Sequence, residues 1–335
     1  MGILWRAVAP GRVNLIGDHT DYSGGLVLPM AIDLGTTVEG RRGGEEVRLL
    51  SGELSGEAVV ALDIVDPASV SPPWARYVAG VVSVLCPGDG FSGKVSTTLP
   101  VSAGLSSSAA LEVAVALALG FEGSSLELAL ACQQAEQRAS GVPSGVMDQL
   151  ASAAGVAGHA LLIDCSALTV EPVPVPEDVE VVVVHSGQSR RLVDSAYAER
   201  RAQCQAAEAV VGPLNLAELD AVASLSDPVV RARSRHVVTE NERVRRFAAA
   251  LRTGDMAECG NLMVASHESL RDDFEVSTPR LDALVAELSA RPGVHGARLT
   301  GAGFGGCVVA LSDPGAVAEG WHVKAVAGAR VTDFS

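Results

Sequence analysis

The chain has 335 residues, room for two domains of ordinary size, and its 48% hydrophobic against 19% charged residues exclude a disordered polypeptide. Forty acidic residues against 25 basic ones leave a formal net charge of −15, which argues against nucleic acid or an anionic membrane as the main partner, since both require a basic footprint. Aromatics are only 4%, so the cores are expected to be aliphatic and closely packed.

In chain order, Met1-Gly-Ile-Leu-Trp-Arg6 carries no apolar leader with a cleavage site and reads as a first strand. It is followed by Ala9-Pro-Gly-Arg12-Val-Asn14-Leu-Ile-Gly17-Asp18-His19-Thr20-Asp21-Tyr22, a polar cluster punctuated by glycine. Polar residues this dense do not build an apolar core. Short carboxylates beside His and Asn suit a hydroxyl-rich ligand, because each can hold a hydroxyl with a directed hydrogen bond. Val47–Leu50, Glu57–Leu62 and Lys94–Leu99 have the length and alternation of strands.

Gly88-Asp-Gly-Phe-Ser-Gly93-Lys94-Val95 falls one residue short of a P-loop and enters a strand where a P-loop must open a helix, so we discount it. Leu99-Pro-Val-Ser-Ala-Gly104-Leu105-Ser106-Ser107-Ser108-Ala109-Ala110 differs, because it leads into an apolar helix over Leu105–Leu119. Free N–H groups and the positive helix end would converge there on an anion, and the hydroxyls could add donors or an oxygen ligand for Mg²⁺. A serine-rich cap without ligand is the competing reading. The next helix, Leu126–Ser140, starts behind the capping box Ser124-Ser-Leu-Glu127 and ends at Gly141 and Pro143. After the proline, Ser144-Gly-Val-Met-Asp148 restarts a helix with Asp148 in its first turn, and Glu136 on the preceding helix could point a second carboxylate at the same cavity.

Ser166–Asp178 holds three prolines and three acidic residues between apolar segments, and we place the junction of two halves there, at residues 1–172 and 173–335. The second half opens with a buried strand over Val179–Val184. Helical patterns follow over Arg190–Val211, Arg231–Leu251, Met256–Leu270 and Pro279–Ala290, then strands over Gly296–Thr300 and Cys307–Leu311. Gly301-Ala-Gly-Phe-Gly-Gly306 between those strands fits a dinucleotide fingerprint in letters only, since no helix follows it. The seven basic residues of Arg231–Arg246 read as a solvated helix face. The other histidines (159, 185, 236, 267, 295 and 322) have no ligand spacing. Six scattered cysteines without a C-x-x-C pair indicate neither a disulfide framework nor a zinc site, and with no apolar stretch long enough to span a bilayer we expect a cytoplasmic protein. Strands and helices mix without a regular βαβ rhythm, so the expected class is α+β.

Taken together, PGRVNLIGDHTDYSGG, LPVSAGLSSSAALEVA and RLTGAGFGGCVVAL resemble the three motifs of the GHMP small-molecule kinases. Within them, the first stretch and SHESLRDDFEVSTPRLDALV are similar to the galactokinases, and the likeness runs in order from about Ala7 to Val331. It implies a two-domain fold with a ribosomal-protein-S5-domain-2-like first half, a ferredoxin-like second half and the site in the cleft between them. It also implies ATP- and Mg²⁺-dependent phosphorylation of the anomeric hydroxyl of α-D-galactose, by a monomer. Carried over by position, Asp148 is the base and Arg12 the cation beside it; Ser108 and Glu136 are Mg²⁺ ligands. Asp18, His19, Asp21, Gly145 and Tyr197 are sugar contacts, and Gly104, Leu105, Ser106, Ser107 and Ser108 form the phosphate loop. One departure bears on substrate choice: Asp18 stands where the family carries Glu, at the sugar's far end. The rival readings are a related kinase of N-acetylgalactosamine, arabinose or a uronic acid, and a non-catalytic sugar sensor; against the sensor, the Ser106–Ala110 segment is complete.

Overall fold

The computed structural model describes residues 4–100, 103–188 and 193–334. In chain order the first half contains β1 (Leu4–Asn14), β2 (Leu26–Val27), β3 (Pro29–Arg42), β4 (Glu46–Ser51), β5 (Glu57–Ala61), α1 (Ala75–Leu85), β6 (Phe91–Thr97), α2 (Ser107–Ala118), α3 (Ser125–Ser140), α4 (Met147–Ala154), β7 (His159–Asp164) and β8 (Thr169–Pro174). The second contains β9 (Glu180–His185), α5 (Val193–Val211), α6 (Leu219–Ala223), α7 (Pro228–Thr253), α8 (Met256–Asp272), α9 (Pro279–Ser289), β10 (Val294–Thr300), β11 (Cys307–Ser312), β12 (Trp321–Val323) and β13 (Arg330–Phe334). Three sheets result, in the orders β13-β1-β3-β6-β4-β5, β10-β11-β9-β12 and β2-β7-β8. This is the expected α+β class.

The longest strand, β3, was not among the expected elements, since Gly35 and Gly40 in its interior weaken a strand signal. Gly35 is there for contact: a Cβ on it would lie 2.6 Å from the Ala9 carbonyl, next to the β1 bulge between Pro10 and Arg12. That bulge matters for function, since it re-aims Arg12. The polar cluster is therefore partly strand, with Ala9–Asn14 in β1 and fully inside the sheet. Helix α1 was not among the expected elements; Gly80 lets it pack against α3, where a Cβ would come within 2.4 Å of the Ala135 carbonyl.

The proline-rich seam is not free linker. β8 runs through it, and the prolines are tolerated because β8 is an edge strand paired only with β7. The chain also returns at its end, when β13 pairs with β1 and closes the first sheet. The loop 88–93 ends inside β6, which begins at Phe91, so it opens no helix. The expected helix over Arg190–Val211 is present from Val193; its first three residues lie outside the described part. The capping box at Ser124 and Glu127 is formed.

The basic run is corrected by the structure. On α7, Arg235, Arg245 and Arg246 face solvent, but Arg233 and His236 are buried. The reason is the helix's position: α7 packs on α8 and reaches across to the polar cluster of the first half, so one of its faces is interior. Cys86 is exposed, Cys165 half-buried, and Cys132, Cys204, Cys259 and Cys307 are buried.

α8 and β10 meet at backbone distance. A Cβ on Gly260 would lie 1.8 Å from the His295 carbonyl oxygen, a main-chain atom that cannot step aside. Gly260→Ala is therefore expected to lower stability by about 2–3 kcal/mol, read as a drop in the urea midpoint with unchanged m-value.

Candidate active site

Arg12 leaves the β1 bulge and points between two segments. Its Nε and Nη2 each donate to Asp148 at 2.8 Å, to Oδ1 and Oδ2 respectively, and its Nη1 donates to the Gly104 carbonyl at 2.8 Å. The main-chain N–H of Arg12 donates to the Leu105 carbonyl at 3.2 Å. One guanidinium thus fixes the carboxylate of α4 against the loop that opens α2. A planar fork suits this, because two parallel charge-assisted bonds set orientation as well as distance.

Ser106 adds a third tie. It has φ 58°, a left-handed conformation uncommon for a residue with a side chain, and makes no side-chain cap to α2. Its hydroxyl donates to Asp148 Oδ2 at 2.5 Å instead. The serine-rich segment is thus not a self-satisfied cap. The helix start faces the carboxylate, leaving its positive end available to an anion. Gly104 and Leu105 act through their carbonyls; the Leu105 side chain lies in the core.

Behind Asp148 stands a second carboxylate on α3. Glu136 Oε1 accepts from Ser108 at 2.8 Å, and its Oε2 accepts from Gln149 at 2.8 Å and Ser144 at 3.1 Å. Gln149 also donates to the fully buried Glu112 at 3.1 Å. Burial raises the pKa of Glu136, with the Asp148 charge adding to the rise. Among the described residues no cluster of three or more His, Cys, Asp or Glu forms a metal cage. A hydroxyl and a carboxylate 2.8 Å apart at the start of α2 have the chemistry to suit Mg²⁺, which binds through one or two protein oxygens and takes its other ligands from water or substrate.

The cleft lined by Arg12, Asp18, His19, Asp21, Glu136, Gly145, Asp148 and Tyr197 has a volume of about 180 Å³ and is closed on one side by Gly301 and Ala302. Every expected sugar contact lies on its wall. Gly145 has no substitute there, since a Cβ would sit 1.8 Å from Asp21 Oδ2. His19 (φ 65°) is held by Tyr22 Oη at 3.1 Å and the Ala302 carbonyl at 3.2 Å, with its ring 5.5 Å from that of Tyr197. A second hollow is lined by Ser107 and Ser108 and walled by Trp74, Tyr77, Leu54 and Leu111; Ser108 in turn donates to Glu136, which lines the first. Trp74 and Tyr77 escaped the sequence reading; an aromatic pair in a chain with 4% aromatics was the available signal.

The sequence reading also missed what supports the wall. The loop 14–26 is gripped by the second half. Glu240 accepts from the Gly17 N–H at 3.1 Å, His236 Nε2 is 3.1 Å from the Asp18 carbonyl, Asn241 accepts from the Leu26 N–H at 2.8 Å, and Thr300 donates to the Asn14 carbonyl at 2.9 Å. Arg298, fully buried, lies 2.7 Å from Asp18. Burial pushes the Glu240 carboxyl up, but Arg243, His236 and Arg298 outweigh it and hold it at about 2. An arginine inside an otherwise apolar strand, Gly296-Ala-Arg298-Leu, was the visible clue.

The fold and this site define a small-molecule kinase of the GHMP type. Residues 76–156 match the GHMP kinase N-terminal domain and residues 247–322 the GHMP kinase C-terminal domain, while residues 4–42 match the galactokinase galactose-binding signature. A galactokinase of Roseiflexus sp. (strain RS-1) is 45% identical over 331 residues, covering 92% of this chain and 83% of that protein. The human galactokinase is 42% identical over 348 aligned positions, covering 97% and 88%. The crystal structure of Lactococcus lactis galactokinase complexed with galactose superposes with a TM-score of 0.90 at 32% identity, covering 98% of this chain and 95% of that one. The chain belongs to the galactokinase family.

Asp21 supplies a pH test. Burial, and then the charge of Asp148, raise its pKa from 3.8 to about 7. A carboxyl that binds its proton more tightly when folded makes stability fall as pH climbs, here from about 4 to about 7, and the loss persists above. Asp21→Asn is expected to flatten that fall and to melt a few degrees higher than the parent at pH 8, by differential scanning fluorimetry from pH 4 to 8.

Proposed function

We propose that this chain transfers the γ-phosphoryl group of ATP to the anomeric hydroxyl of α-D-galactose. The observation that supports the proposal is the Arg12 fork, which lies 2.8 Å from both Asp148 and the Gly104 carbonyl and so ties the carboxylate of α4 to the loop before α2. Phosphoryl transfer depends chiefly on alignment and on neutralising charge at the moving group. In this reading a sugar in the cleft lies along Asp21, His19 and Tyr197, with its reacting hydroxyl toward Asp148. Asp148 accepts the hydroxyl proton and aims the oxygen, while Arg12 keeps that carboxylate in place and adds positive charge beside the phosphates.

The triphosphate lies against the start of α2, at Ser106, Ser107 and Ser108, where amide dipoles favour its charge. The base enters the hollow walled by Trp74 and Tyr77. Ser108 and Glu136 would hold Mg²⁺, which when bound screens the phosphate oxygens. The halves before and after residue 172 serve as two domains, the first holding nucleotide and the base, the second bracing the sugar loop. A single chain in the cytoplasm completes the reading; among the described residues no helix is long and apolar enough to cross a membrane.

ATP turnover against a panel of free sugars, with the phosphorylated carbon located by NMR, tests the proposal. Galactose is expected to give galactose 1-phosphate, and Asp148→Asn to lose at least about a thousandfold in kcat while sugar binding by calorimetry stays within a few-fold. Near-normal turnover in Asp148→Asn would remove the base assignment. Phosphorylation of another sugar in preference to galactose would remove the substrate.

A further inference from the structure

Glu112 has no part in the function proposed above, yet it is fully buried in α2 among Leu111, Val113 and Ala114. Among the described residues its side chain makes one hydrogen bond, which its Oε2 accepts from Gln149 Nε2 at 3.1 Å. Gln149 is fully buried as well, and the same nitrogen donates to Glu136 Oε2 at 2.8 Å. Both amide hydrogens are used, one on each carboxylate, while Gln149 Oε1 and Glu112 Oε1 have no partner. A buried carboxyl near a second carboxylate is a costly way to fasten helices, and an apolar pair would join α2 to α4 without that cost.

These bonds close a ring on Glu136. Ser108 and Glu112 stand one turn apart on α2 and so share a face of it. Ser108 donates to Glu136 Oε1 at 2.8 Å, and Glu112 reaches Oε2 through Gln149. Gln149 alone could swing about its terminal torsion, because nothing holds its carbonyl oxygen. Glu112 removes that freedom by taking the second N–H. Oε2 of Glu136, which also accepts from Ser144 at 3.1 Å, is thereby fixed in the wall, and Oε1 is left to the Ser108 hydroxyl. Resting on the functional reading above, in which Ser108 and Glu136 hold the cation, we propose that Gln149 is a positioning residue for the metal site. With Glu112 as its anchor, it fixes the Glu136 carboxylate so that Oε1 faces the Ser108 hydroxyl. Partners that orient a metal ligand in this way carry about 10- to 100-fold of metal affinity.

The test is the gain in affinity for a non-hydrolysable ATP analogue on adding Mg²⁺, by calorimetry on the full chain with Mg²⁺ and with EDTA. Gln149→Met, confirmed folded by its melting curve, keeps the bulk of the side chain and removes both donors. It is expected to lower that gain about tenfold or more, with affinity in EDTA and for galactose within about threefold of the parent. An unchanged gain overturns the proposal. Equal losses with and without the metal also overturn it, since a merely structural glutamine would give them. Glu112 supplies a test that does not need Gln149→Met to fold. Glu112→Met is expected to reduce the gain, and Glu112→Gln, which keeps an acceptor, to preserve it; a parent-like gain in Glu112→Met, or equal losses in the two, overturns the proposal. Glu136→Ala separates this proposal from the reading beneath it. If Glu136→Ala keeps the parent's gain, the metal assignment falls and the proposal with it; if it loses the gain while Gln149→Met does not, the proposal falls alone.

Discussion

One guanidinium organises the reactive end of this molecule. Arg12 sits 5% exposed at a bulge in the first strand, and three of its N–H groups are spent on Asp148 and on the Gly104 carbonyl. Without it, the tie between Asp148 and the described part of the loop before α2 would be the Ser106 hydroxyl, and the carboxylate would gain freedom to rotate. The bulge is the cause upstream. Glycine at 35 allows β3 to approach β1 closely, the register shifts between Pro10 and Arg12, and the arginine turns toward the cleft. Strand geometry and the reactive arrangement are thus a single construction.

The opposite end of the cleft is built by another kind of interaction. The loop 14–26 belongs to the first half by sequence, but Glu240, His236, Asn241, Thr300 and Arg298 of the second half hold its backbone or its carboxylate. Buried charges are costly unless paired and hydrogen-bonded, and here they are paired across the two halves. The result is a cleft in which the loop 14–26, fixed by the second half, faces the loop before α2, fixed by the first.

The sequence showed the residues that meet at the cleft and concealed what makes them meet. Asp148 in a first helical turn, Glu136 on the helix before it and the serines before α2 were legible because caps, prolines and glycines mark helix ends locally. β3 was not, since Gly35 and Gly40 in its interior answer close approaches to Ala9 and β6, contacts that lie far off in sequence. β8 was hidden by prolines that only an edge position tolerates. The inward face of α7 was misread as solvated because a histidine buried against a carbonyl 218 residues away looks, in sequence, like any surface basic residue. Arg298 was passed over for the same reason.

The central claim is that Arg12 and Asp148 act as one unit. A double-mutant cycle on kcat with Arg12→Met, Asp148→Asn and the two combined measures it directly. The double variant is expected to lose no more than about tenfold beyond the worse single variant, as residues that function together are non-additive. Losses that multiply would contradict the account, since they would mean that the arginine and the carboxylate contribute to the reaction independently.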